Sequence, residues 1–231
     1  MGTFIPRLKD FEKSLLNDNV HEIKENMNPI VAIGGFSGTG KDTVALHVKS
    51  YFREFHNLSL KIIHAGEFVR KIAVESGWDE KNMDEFMAHI KNTQDEDFAQ
   101  KVDIGIEKHA LKTALLQGGI FVGRMAPFAI GTYGTTIWLE VAASVIAKRI
   151  SNDPDRAEFH MDHNSLINKI QSRDKTDGER LERIYQISFR DKKNFDLTLR
   201  NEKYNLSQLK SIIDELLIKK YPPPDVKDQI S

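Results

Sequence analysis

The chain contains no cysteine, which excludes disulfides, thiolate catalysis and thiolate metal sites. Proline is scarce, and no apolar run reaches the length needed to cross a bilayer. Neither sign of charge is in excess: 33 Lys and Arg stand against 34 Asp and Glu, for a formal net charge of -1. That balance gives no global pull toward nucleic acid or acidic membranes, and no basic stripe interleaved with aromatics marks a nucleic-acid surface. The opening stretch, MGTFIPRLKDFEKSLLNDNVHEIKEN, lacks the apolar core and cleavage site of a secretory signal, and MGTFIP lacks the Ser or Thr of a myristoylation motif. What is present suits a globular protein: 231 residues, 40% apolar, are enough to bury a proper core. The expectation is a cytoplasmic protein with no membrane or nucleic-acid partner and no stated oligomeric state.

Apolar patterning predicts alternating strands and helices. NPIVAIGG (Asn28–Gly35) is a short apolar run ending in glycines, the pattern of a buried strand entering a turn. After it, Val44, Ala45, Val48, Tyr51, Phe52 and Phe55 recur at helical spacing. Further strands are expected at Leu58–His64, Gly119–Arg124, Thr135–Val141 and Phe195–Asn201. Helices are expected at Gly66–Ser76, Asn82–Lys91, Asp95–Gln117, from Ser165 to about Arg190, and over LSQLKSIIDELLIKK. This order argues for a parallel sheet covered on both faces. Residues 1–28 read as a helical extension, one amphipathic helix through Leu8, Phe11, Leu15 and Leu16, serving either as a docking element or as a partner surface. The main domain then runs 29–220, with a polar surface segment at about 151–165, and 221–231 reads as a flexible tail.

The stretch GGFSGTGKDT (Gly34–Thr43) carries the chemistry. A G-x-x-x-x-G-K pattern arises by accident in roughly one chain in fifteen of this length, so context decides. Here it leaves a strand and opens a helix, as a phosphate loop must. Gly35, Gly38 and Gly40 let successive N–H groups point inward, Ser37, Thr39 and Thr43 line the same segment, and the helix beginning at Lys41 adds the positive end of its dipole. Lys41 supplies the charge that bridges outer phosphates. The place after the lysine, ordinarily Ser or Thr, holds Asp42.

With the loop in place, the chain from about Ile30 to Leu217 resembles the P-loop nucleoside monophosphate kinases, and within them the short, archaeal-type cytidylate kinases. The resemblance rests on six segments in order: GFSGTGKDTVA; HAGEFVRKIAVESG, similar to the family's A-G-x-x-F-R segment; WDEKNMDEFMAHIKNTQDEDFAQKVD; FVGR, where the family has an acid followed by G-R; IAKRI, like the helix entering the lid; and RDKTDGERLERIY, with Arg173, Asp177 and Arg180 at R-x-x-x-D-x-x-R spacing. It implies an α/β three-layer sandwich of about five parallel strands with a small lid. It also implies ATP and Mg2+ as cofactors, nucleotide substrates, and transfer of the γ-phosphoryl to CMP or dCMP. In that chemistry the protein positions two anions and neutralises charge. The resemblance puts Lys41 on the transferring group, and Gly66, Arg70, Arg124, Arg173, Asp177 and Arg180 on the acceptor. Arg149, and more remotely Arg156, would close in from the lid. Arg173, Asp177 and Arg180 also lie in a charge-dense run that a solvated helix face would explain.

The chain departs from the pattern in three places. Val122 stands where the family has the acid that helps hold magnesium, and Ile146 where it often has an arginine. Asp42 either takes over part of the vacated metal-anchoring role or points outward as an ordinary first-turn acid. Thr43 could still donate to an inner phosphate. His160 and His163 flank an aspartate, but without a further ligand set they read as surface residues. Two other readings stay open: a P-loop kinase for a different small acceptor, and a nucleotide-binding sensor that has lost turnover.

Overall fold

In the computed structural model, residues 2–26, 28–79, 85–86, 89–90, 96–152, 158–189 and 195–224 are described below. Five strands, β1 (Ile30–Gly35), β2 (Ile62–His64), β3 (Gly119–Val122), β4 (Thr135–Glu140) and β5 (Leu197–Arg200), form one parallel sheet in the order β2-β3-β1-β4-β5. The central strand β1 is apolar because helices cover both its faces, and it leads straight into the glycine loop.

One face is covered by α3 (Lys41–His56) and α9 (Leu206–Lys220), which bury Val44, Val48, Phe52, Leu209 and Ile213 against Val31, Ile33 and Leu139. The other carries α5 (Glu96–Gln117) and the short α6 (Ala126–Ile130), with Ala110, Ala114 and Ile130 packed on Ala32 and Phe121. Beyond β2 lies α4 (Ala65–Glu75). Near the carboxyl edge, α7 (Ala143–Ser151) and α8 (His163–Tyr185) share a small apolar cluster of Ile146, Ala147, Leu166 and Ile170. None of the described helices is long and apolar enough to cross a membrane.

Several boundaries differ from the sequence expectation. β2 begins at Ile62 rather than Leu58, because its pairing with β3 starts at Ile62–Ile120. α8 stops at Tyr185, where Gln186 takes a left-handed conformation (φ 55°). The surface segment expected at 151–165 is shortened at its end, since α8 starts at His163 and Asp162 accepts a capping bond from the Ser165 N–H at 3.0 Å. Its centre, 153–157 with Arg156, lies outside the described residues, as does most of the helix expected at Asn82–Lys91. Tyr221, expected in a loose tail, is seated: its ring packs on Phe52 and its hydroxyl donates to the Ile30 carbonyl at 3.1 Å.

The amino-terminal residues form two helices rather than one, α1 (Lys9–Asp18) and α2 (Val20–Glu25). Between them Asn19 leaves helical geometry and its side-chain amide donates to the Leu15 carbonyl at 3.0 Å, the kind of local bond that competes with helix continuation. Residues ahead of α1 are docked, with Pro6–Leu8 forming a 3-10 turn that leads into the helix. The Phe4 N–H donates to the Phe128 carbonyl at 2.8 Å, and the Thr3 N–H to Glu12 Oε1 at 2.6 Å. Ile5 and Leu8 are completely buried among Phe128, Trp138, Leu181, Tyr185 and Phe195. The segment is therefore part of the core, and trimming one methylene from it, Ile5→Val, is expected to lower unfolding free energy by about 1 kcal/mol. Chemical denaturation of the two proteins checks this.

Candidate active site

The loop between β1 and α3 is shaped by glycines that other residues could not replace. Gly38 and Gly40 have φ of 78° and 87°, and a Cβ on Gly38 would lie 2.8 Å from Ile146 Cγ2. That contact accounts for Ile146: it is 2% exposed, wedged between the loop and the α7–α8 cluster, where an arginine could not be solvated. Further bonds hold the loop's shape. Thr39 donates its hydroxyl to the Phe36 carbonyl at 2.9 Å, and the buried Asn201 amide donates to the Thr39 carbonyl at 2.7 Å. Arg149, on α7, reaches the Gly38 carbonyl at 3.1 Å. The loop is thus tied to both the β5 end and α7.

Lys41 Nζ donates to the Gly35 and Phe36 carbonyls at 3.0 and 2.7 Å. Burial and then the neighbouring Arg124 bring its pKa down to about 8, partly offset by Asp42 and Asp174. Lys41 and Arg124 are therefore close enough to repel each other, an arrangement that rewards an anion placed between them. Arg124, just past β3, lies 5.1 Å from the centre of the Phe36 ring and donates to Asp177 Oδ2 at 2.8 Å. Phe36, a loop residue, thereby supports a guanidinium as well.

Asp177 and Arg180, one turn apart on α8, are both engaged: Asp177 with Arg124, Arg180 with Asp103 of α5. Tyr185 adds a bond from its hydroxyl to the Asp103 carbonyl at 2.8 Å. Arg173 is exposed and has its Nε 3.9 Å from Asp174 Oδ1. Arg70 does not join this group. It lies on the outward face of α4, opposite Phe68 and Ile72, in a shallow groove with Glu67, Lys71 and Val74. Gly66 is exposed, with open space where a side chain would stand. Ser37 and Thr43 border the α7–α9 side of the loop.

Two pockets flank the loop. One, of about 560 Å³, opens between α7 and α9 and is lined by Gly38, Lys41, Ile146, Arg149, Asn201 and Tyr204. Tyr204 and Leu206 are large apolar residues left exposed here, in a pocket that Ile146 and Ile150 also line. The other, of about 420 Å³, lies by the β4 end and is lined by Phe36, Thr39, Trp138, Glu140, Asp174 and Arg200.

No family model matches the chain. The cytidylate kinase of Methanopyrus kandleri is 27% identical over 215 residues, covering 85% of this chain and 99% of that one. That of Methanocaldococcus jannaschii is 24% identical over 192 residues, covering 81% and 97%. Among solved structures, an uncharacterized protein from Eubacterium ventriosum aligns with TM-score 0.55 at 18% identity, over 83% of this chain and 99% of that one. The shikimate kinase of Bacteroides thetaiotaomicron aligns with TM-score 0.50 at 14% identity, over 83% and 98%. In sequence the chain is similar to archaeal cytidylate kinases, and in fold to these two solved structures. Its sheet and loop are those of a P-loop α/β protein.

The metal question turns on carboxylates. Among the described residues no group of three His, Asp or Glu side chains could hold a metal ion alone, and His160 and His163 are simply exposed. Val122 is 5% exposed and apolar, so it offers no side-chain oxygen at the β3 end. Asp42 has a 77% exposed side chain whose Oδ1 lies 3.7 Å from His64 Nδ1. Asp174 is different: its Oδ1 is buried and accepts no hydrogen bond. Burial pushes Asp174 up, against the pull of Arg173, Arg124 and Lys41. A hard cation brought in by phosphates needs few protein oxygens, so these residues fit Mg2+ carried by a nucleotide.

The sequence pattern did not single out Asp174, Asn201, Phe36 or Tyr204. Asp174 was hidden in a run of charges. For Asn201 the available signal was its place at a strand end beside the crevice where open α/β sheets bind ligands.

Proposed function

We propose that this protein transfers the γ-phosphoryl group of ATP to a nucleoside monophosphate, with CMP or dCMP as acceptor. One observation carries the reading: two cations converge on Phe36 of the glycine loop, Lys41 donating to its carbonyl at 2.7 Å and Arg124 lying 5.1 Å from the centre of its ring, with the Lys41 ammonium disfavoured by burial and then by the Arg124 charge. Such a pair costs stability in the empty protein and is neutralised when phosphates enter, as phosphoryl transfer requires. The names of the archaeal relatives supply the cytidine part.

In this reading the pocket beside Tyr204 and Leu206 takes the donor's base, and the loop N–H groups with Lys41 hold its phosphates. Arg124, oriented by Asp177, faces the acceptor phosphate, with Arg173 and Arg180 on the same helix as further cations. Arg149 would leave the Gly38 carbonyl for the phosphates as the lid helix closes. A divalent cation bound with the nucleotide would neutralise part of the phosphate charge. Arg70 and Gly66 join the acceptor site only if α4 turns inward.

The test is ADP release from Mg·ATP with CMP, dCMP, UMP, AMP, GMP or no acceptor. Stimulation by CMP or dCMP is expected. Stimulation by another monophosphate alone would keep the reaction and replace the acceptor. ATP binding without stimulation by any acceptor would favour a nucleotide sensor, for which the apolar Val122 at the β3 end is the supporting observation.

A further inference from the structure

We infer that Asp42 and His64 together hold the divalent cation of the bound nucleotide and favour a first-row transition ion over Mg2+. This role rests on the proposed use of ATP and leaves the acceptor open. Asp42 follows Lys41 directly in the first turn of α3, the place where a phosphate loop ordinarily presents a hydroxyl to the metal. It lines the same pocket as Gly40, Lys41 and Arg149, so it borders the space assigned to ATP.

His64 reaches the same spot from the sheet. It ends β2, and its register partner on β3 is Val122, the apolar residue that offers no ligand. The turn into α4 fixes its main chain, with the His64 backbone N–H donating to Glu67 Oε1 at 3.1 Å. The ring then stands beside Asp42, with Nδ1 3.7 Å from Oδ1. That separation is too long for a hydrogen bond. It is close to what a shared ion requires: two ligand atoms each about 2.1 Å from one metal, in adjacent positions, lie roughly 3 to 3.4 Å apart. The side chains of Asp42 and His64 are 77% and 50% exposed, so neither is locked in the core and both can close the small remaining gap.

The donor set decides the cation. Mg2+ takes oxygen ligands and keeps several waters, whereas imidazole suits first-row transition ions. Mn2+ binds such sites most weakly in that series, so a preference for Mn2+ over Mg2+ is the strictest form of the expectation. Phosphate oxygens supply the remaining ligands, in keeping with the absence of a three-residue metal cluster among the described residues. Asp174 does not compete: it lines the pocket on the other side of the loop and faces Arg173 at 3.9 Å.

Pulsed electron paramagnetic resonance of Mn2+·ATP bound to the whole chain tests the assignment, because a coordinated imidazole couples its nitrogen to the manganese spin. Calorimetry of Mn2+·ATP, Mg2+·ATP and ATP with EDTA runs alongside, for native protein, His64→Ala and Asp42→Asn. The native complex should show the nitrogen coupling, and His64→Ala should abolish it. Each variant should weaken Mn2+·ATP about tenfold. Metal-free ATP binding should not weaken in either, which also shows that the fold is intact. His64→Ala should cost Mg2+·ATP less than Mn2+·ATP, and equal losses would overturn the preference. A native complex without nitrogen coupling, or a coupling that survives His64→Ala, overturns the inference and leaves Asp42 and His64 as a surface pair. Native protein that binds no ATP in any condition overturns the proposed function and the inference with it.

Discussion

Lys41→Met is expected to lower acceptor-dependent phosphoryl transfer about a thousandfold, the scale of removing one well-placed charge from a phosphoryl-transfer site. The same variant should be at least as stable as the native protein at neutral pH. The reason lies in the empty loop: the Lys41 ammonium is held at about pKa 8, below its ordinary 10.5, by burial and by Arg124. Its charged form is thus less favourable in the folded chain than in the unfolded one. That cost is fully present below pH 8 and is relieved as the pH rises from about 8 toward 10.5, where the unfolded chain also loses the proton. Methionine keeps the apolar stem without the charge. Steady-state kinetics and thermal unfolding at pH 7 and pH 10 separate the two effects. Equal loss of activity and of stability would mean that Lys41 is a structural residue rather than a phosphate ligand.

Glu107→Gln should stabilise the protein increasingly as the pH rises. Glu107 lies on α5, is 5% exposed and borders a small apolar cavity with Phe68, Val122 and Ala126. Burial, helped by the charge of Asp103, raises its carboxyl to about 8 from an ordinary 4.5. The sign is opposite to that of an ion-paired acid. Below pH 4.5 both folded and unfolded chains carry the proton, and no penalty arises. Between 4.5 and 8 the unfolded chain releases it while the folded chain retains it, so native stability falls by up to about 1.4 kcal/mol per pH unit from this group. At pH 7 the accumulated penalty is about 3 kcal/mol. Glutamine matches the shape of the neutral acid and does not ionise. The readout is the difference in unfolding free energy between the two proteins at pH 5 and pH 8. A difference independent of pH would show that Glu107 titrates normally.

The parts of this architecture that could be read from the sequence are those where local pattern and tertiary demand coincide. β1 and the centre of β4 are apolar stretches, and β1 enters the glycine loop; they formed as expected because burial on both faces needs that composition. α6 escaped notice: five residues, all buried, with a proline in the first turn, carry no helical period to detect. Tyr221 was obscured by the prolines after it, although it is the partners Phe52 and Ile30, distant in sequence, that seat it. Asn19 broke the first helix through a bond that helical spacing cannot register. At the candidate site, strand ends pointed to Arg124 and the loop to Lys41, and the structure brings both to Phe36. Arg70 was expected beside them, yet α4 buries Phe68 and Ile72 and so turns Arg70 outward. Which of the many charges on α8 sits in the protein and which in water depends on Phe36, Trp138 and Phe189 beside it, and no local rule supplies that.

The seating of residues 2–8 reverses the order of synthesis. Ile5 and Leu8 pack against Phe128, Trp138, Leu181 and Phe195, so this stretch has its berth built from residues made well over a hundred positions after it. As the chain emerges from a ribosome, this segment must wait until β4 and α8 are in place, and its closing contact is among the most non-local in the molecule. Residues 2–8 can therefore dock only after distant elements have formed, and once seated they join the aromatic cluster that backs Phe36 and, through it, Arg124.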